Sequence, residues 1–221
     1  MKMKPDYDRA ATLAMQTLID NGITETPVDS LSILLKYPGV RVISFTRFAM
    51  QAGMERKELI PLFGGNQDAA TFHLDMNIEG VKYVVVYNQR LPFDIIWRGV
   101  ARELGHIVLG HDGQTRSTEV RMAEALCFAH HLISPRPVIR MLQNAVPMTM
   151  NVLTATTGCS DDCVEELRLI HGARVPAEIN RQVKALFERG INEYISFYKS
   201  SQKSDKSAII DFGSYMDGYE E

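Results

Sequence analysis

From Arg98 to His111 the chain reads Arg-Gly-Val-Ala-Arg-Glu-Leu-Gly-His-Ile-Val-Leu-Gly-His. Within it, Arg102-Glu103-Leu104-Gly105-His106 stands close to the H-E-x-x-H pattern of zinc peptidases. That pattern works because side chains at i and i+4 share a helix face and grip one metal ion. The glutamate beside the first ligand takes a proton from metal-bound water. Here Glu103 has the position of the general base and His106 that of the second metal ligand. The first ligand position holds Arg102, a permanent cation with no lone pair to give.

A single-metal centre of this type needs a further ligand from outside the helix. Glu124 lies 18 residues after His106, on the next expected helix, and antiparallel packing of the two helices would bring it over the His106 face. Glu119 competes, but it falls in a first helical turn, where the helix dipole alone explains an acid. Arg102 itself reads as a buried, salt-bridged arginine. Its guanidinium is expected to contact Glu103, Glu124 or both, occupying the space of a metal and supplying part of its charge. His111 follows His106 by five residues, about 140° round a continuous helix, and is read as a solvated helix-end residue that only a break at Gly110 could turn back. His130 and His131 are read as helix surface or cap. Cys159 and Cys163 are too sparse for a zinc site, and His73 and His171 carry no signal.

The elements that must position these residues follow from periodicity. Residues 6–21 read as an amphipathic helix with Asn21-Gly22 as its stop, and Asp29 caps a short helix carrying Leu31, Ile33 and Leu34. Residues 40–45 read as a strand and 47–59 as helical. A hairpin follows, with strands at 70–76 and 81–87, the second apolar enough to be buried on both faces. The central helix begins near Pro92 and ends at Gly110. A second long helix starts around Thr115 to Glu119 and runs to about Ile133, where Ser134-Pro135 stops it. Beyond it come shorter helices broken by Pro137, Pro147 and Gly158, one of them over 161–170. A longer helix follows over 177–199, then a loose tail. The expected division is a catalytic-type domain over 1–135, a helical module over 136–199 and a flexible tail over 200–221.

Composition narrows the function classes. A net charge of −3 gives no electrostatic case for nucleic acid or an anionic membrane. Residues 138–171 have a helix-turn-helix rhythm, but Asp161, Asp162, Glu165 and Glu166 crowd its second helix, and a groove-facing helix should not be acidic. No apolar run is long enough to span a bilayer, and no signal-peptide core follows the N-terminus. Three cysteines fit free thiols in a reducing compartment, so a cytoplasmic protein is expected.

The hairpin, the E-L-G-H helix and then Glu124-Ala125-Leu126-Cys127-Phe128-Ala129 running to Leu132-Ile133-Ser134-Pro135 resemble the ImmA/IrrE metallopeptidases. In that family H-E-L-G-H is followed by roughly E-A-x-x-F-A-x-x-L-L-x-P. The resemblance covers about residues 5–198 in organisation and is specific over 100–135. It implies an α+β, zincin-like fold: a small antiparallel sheet with helices, and a C-terminal helical segment. It also implies a zinc peptidase acting on a helix-turn-helix repressor-type protein of a mobile element or stress response. It carries over His106 and Glu124 as zinc ligands and Glu103 as general base, and nothing at Arg102, where the chain departs from the family. Zinc is accordingly expected to bind weakly or not at all. The alternative is an inactive pseudo-peptidase that binds its partner protein without cutting it.

Overall fold

The computed structural model describes residues 4–59, 61, 68–78, 80–113, 116–159 and 173–201. The expected helix at 161–170, Thr115, Cys163, His171 and the tail beyond 201 lie outside them. The fold class is α+β, as expected, but the small sheet is mixed where an antiparallel one was expected, because β1 joins β3 in parallel.

Local sequence explains where the first elements start and stop. Helix α1, Tyr7–Asp20, opens with the Asp6 carboxylate accepting from the Arg9 amide and ends where Gly22 takes a left-handed conformation. In α2, Ser30–Leu35, Asp29 accepts from the amides of Leu31 and Ser32. Strand β1, Val40–Ser44, leads into α3, Phe45–Ala52, and the one-turn α4, Arg56–Leu59. Gly53, left-handed, separates the two helices, so the expected continuous helix over 47–59 is interrupted.

Strands β2, Ala69–Ile78, and β3, Val81–Tyr87, form the expected hairpin, and β1 adds on the far side of β3 in parallel, giving the order β1-β3-β2. The two faces of the sheet differ. Ala70, Phe72, Val84 and Val86 share one face and pack with Ile43, Phe45 and Leu59 in a hydrophobic cluster. The alternation of strand side chains sends Ala69, Thr71, His73 and Tyr83 to the other face. That face meets the central helix α5, Phe93–Val108, whose Ile96, Val100, Leu104 and Ile107 are buried.

Helix α6, Thr118–Ile133, starts where the Ser117 hydroxyl accepts from the Val120 amide. A Cβ added at Gly105 would lie 3.0 Å from Phe128 Cδ1 and 3.1 Å from the Ala125 carbonyl oxygen. The absence of a side chain at Gly105 is therefore what lets α5 and α6 approach. Helices α7, Arg136–Gln143, α8, Met150–Thr157, and α9, Ala177–Ser201, complete the described elements.

The chain divides into two compact units. One contains Asp29–Ala129, and the other Asp6–Val28 together with the chain from His130. Residues 6–28 therefore cluster with the C-terminal helices, whereas the sequence reading grouped them with the hairpin. Cys127 and Cys159 are buried. No helix among the described residues is long and apolar enough to cross a membrane.

Candidate active site

Helix α5 presents Arg102, Glu103 and His106 toward β2 and the chain that follows the helix. Arg102 is 6% exposed and Glu103 5% exposed, so both charges are held out of water and must be paired. Arg102 Nε and Nη2 donate to Glu103 Oε1 at 3.0 and 2.8 Å. Nη1 and Nη2 donate to the two carboxylate oxygens of Asp68 at 3.0 and 3.1 Å, a two-pronged pair, and Nη2 also donates to the Ala69 carbonyl at 3.0 Å. The expected contact with Glu103 is present. The expected contact with Glu124 is replaced by Asp68, an acid just ahead of β2 that the sequence reading passed over.

Burial works against the Arg102 charge, but the carboxylates of Glu103 and Asp68 more than offset it and hold its pKa above the usual arginine value. Burial pushes the Glu103 carboxyl up, more than the Arg102 cation and the Thr71 hydroxyl pull it down. Thr71 Oγ1 donates to Glu103 Oε2 at 2.7 Å, so both oxygens of Glu103 already accept hydrogen bonds. Asp68 fits here because the facing helix position is Gly99, where a Cβ would fall 2.6 Å from Asp68 Oδ2.

His111 overturns its sequence reading as a solvated helix end. Helix α5 ends at Val108, Gly110 takes φ +67°, and the chain turns into a 3-10 turn over His111–Gly113. The left-handed glycine breaks the helical rotation that would have carried His111 away. The His111 ring is 2% exposed and lies edge-on to His106, their Nδ1 atoms 2.9 Å apart. Its Nε2 is 3.1 Å from Glu124 Oε2. Glu124, 1% exposed, also accepts from the Arg116 guanidinium. Arg121 Nη1 donates to the His111 carbonyl at 3.1 Å. Gly105 thus faces Ala125 and Phe128, while His111 faces Arg121 and Glu124. The two segments pass in opposite directions, as the expected antiparallel packing of the helices requires.

The expected trio is brought into one neighbourhood with a histidine between its members: His106 meets His111, and His111 meets Glu124. Burial, then the His111 ring and the Arg102 and Arg121 cations, lower the His106 pKa to about 3. Glu103, His106 and His111 open together on a cavity of about 210 Å³. Comparison with known protein families, with curated proteins and with solved structures gives no match.

His73, Tyr83 and Asp112 also line this cavity, and with Lys82 beside them they form a second cluster that sequence spacing does not reveal. Asp112 accepts from the Tyr83 hydroxyl at 2.9 Å and lies 3.4 Å from His73 Nε2 and 3.3 Å from Lys82 Nζ. Burial opposes the Asp112 charge, but the Tyr83 and Lys82 hydrogen bonds prevail and hold its pKa below the usual aspartate value. Among the described residues no group of three or more His, Cys, Asp or Glu side chains is disposed to hold a metal ion. His130 and His131, expected at the surface or as caps, are buried at the end of α6.

Proposed function

We propose that this is an ImmA/IrrE-like, zincin-type cytoplasmic protein that binds a helix-turn-helix repressor-type regulator of a mobile element or stress response without hydrolysing it. The observation that carries the reading is the Arg102 clamp. In a working centre the 102 position gives a lone pair and Glu103 is free to take a proton from water. Here the 102 side chain gives a cation, and Glu103 spends one oxygen on it and the other on Thr71. The donor set does not fit a tetrahedral zinc centre either. Position 102 supplies no lone pair and Glu124 already faces His111 and Arg116, which leaves His106, whose Nδ1 meets His111, as the one expected donor with a ring nitrogen to spare.

A second reading, a zinc metallopeptidase with a weakened metal site, is favoured by one feature: Glu103 and His106 open on the same cavity. The test mixes the purified chain with a purified repressor of this class in the presence of zinc. Binding is followed by calorimetry, the repressor's intact mass by mass spectrometry, and zinc per chain by elemental analysis. Binding with the repressor mass unchanged is the expected result. Cleavage by a chain holding about one zinc would refute the binding-only reading and establish the second.

A further inference from the structure

The second unit contains a cavity of about 470 Å³ between α7 and α9, within the size range of small-molecule sites. Its charge is at odds with the chain as a whole. The protein has 24 Lys and Arg against 27 Asp and Glu, yet the cavity is lined by Arg136, Arg140, Arg181 and Lys184 and, among the described residues, by no carboxylate. Helical spacing explains the convergence. Arg136 and Arg140 are one turn apart on α7, and Arg181 and Lys184 one turn apart on α9. Arg136 is buried, and its Nη1 donates to the Ala173 carbonyl at 3.1 Å, which fixes one cation in the wall. The others stand at the exposed mouth, where Arg181 also pairs with Glu178. Between the cations, Pro137, Met141 and Val175 supply an apolar surface.

We propose that this cavity binds a small organic phosphate, with the phosphate among the cations and an apolar body against Pro137, Met141 and Val175. Guanidinium groups match phosphate oxygens in pairs, and several converging cations favour a dianionic head over a carboxylate. The assignment stands on the second unit alone and is independent of the function proposed for the Arg102 site.

The experiment is isothermal titration calorimetry of the full chain with phenyl phosphate, beside phenol, inorganic phosphate and benzoate. The expected result is one saturable site for phenyl phosphate, with each of the other three weaker by roughly tenfold or more. Arg140→Gln and Lys184→Gln, both at exposed positions, should each weaken phenyl phosphate binding roughly tenfold, about one charge-assisted hydrogen bond apiece. Circular dichroism checks that both variants keep the fold. Arg121→Gln, at the other cavity, should leave binding unchanged. Phenol binding as tightly as phenyl phosphate would overturn the anion assignment, and benzoate doing so would overturn the phosphate assignment. Equal binding of inorganic phosphate would remove the apolar body. No saturable heat at millimolar phenyl phosphate, or unchanged binding by the Arg140→Gln, Lys184→Gln double variant, would overturn the site.

Discussion

Replacing Arg102 with alanine should destabilise the protein by an amount that depends on pH. The guanidinium makes five hydrogen bonds, to Asp68, Glu103 and the Ala69 carbonyl. Side-chain exposures of 8% for Arg102, 7% for Glu103 and 14% for Asp68 leave little water to take its place. Removing one partner of such a buried pair costs ~3–5 kcal/mol, because the remaining charges lose their compensation. Asp68 is the most exposed of the three, so the lower end, ~3 kcal/mol, is expected at pH 8. With a urea dependence of ~2 kcal/mol/M, that moves the unfolding midpoint down by ~1.5 M. Burial already pushes the Glu103 carboxyl up, and losing the cation pushes it further. A carboxyl whose pKa is raised by folding lowers stability as pH climbs from the unfolded value to the folded one, and keeps it low above that. The deficit should therefore be smaller at pH 5 than at pH 8. The assay is urea unfolding followed by circular dichroism at both values. A deficit under ~1 kcal/mol at pH 8, or a larger one at pH 5, would refute the buried-clamp reasoning.

Three further outcomes are expected. Gly105→Ala should lower stability by ~1–2 kcal/mol in thermal unfolding, because its Cβ would crowd Phe128 and the Ala125 carbonyl, whereas Gly113→Ala, with nothing within 4 Å, should be near neutral. His111→Ala should cost ~1–3 kcal/mol by removing the ring between His106 and Glu124, and Gly110→Ala ~1 kcal/mol through its left-handed backbone alone. The His106 ring, its pKa lowered to about 3, should show no NMR titration between pH 5 and 8. Its depressed value means that its contribution to stability is complete above the unfolded histidine value, ~6.5, and is lost progressively as pH falls toward the folded one.

The sequence made the scaffold of the site legible and the wiring less so. Helices α1 and α2 could be read because their caps and apolar spacing are local signals, and α5 and α6 because their starts and stops, Pro92 and Gly110, Thr115 to Glu119 and Ser134-Pro135, are local signals too. The parallel addition of β1 to β3 could not be read, since which strand pairs with which depends on the fold and not on the strand's own residues. Asp68 escaped for the same reason: nothing near it in sequence points to an arginine 34 residues away. His111 faces away on a continuous helix, and only the left-handed turn at Gly110, which sequence spacing does not fix, brings it back. Residue type alone points His130 and His131 to the surface, but α6 has little polar face near its end. From Cys127 to Ile133 every residue is buried, so its histidines are enclosed with the rest.

The Arg102 clamp also limits what a single reversion can achieve. Zinc in a peptidase centre brings two positive charges to a group of acids, and Arg102 brings one to Asp68 and Glu103. Arg102→His removes that charge before any metal arrives. Without metal, the variant should unfold almost as readily as Arg102→Ala, because a neutral imidazole leaves both carboxylates uncompensated. If the new histidine and His106 then capture zinc, binding to the folded state alone adds RT ln(1 + [Zn]/Kd), ~2.7 kcal/mol at a hundredfold excess over Kd. Thermal unfolding with and without zinc should therefore separate the two variants: Arg102→His gains stability on adding the metal and Arg102→Ala does not. This comparison reads metal capture without reference to proteolysis. A zinc-induced shift of the same size in both variants would mean that the metal binds elsewhere. No shift in either would mean that Glu124, held by His111 and Arg116, does not turn toward a metal at His106.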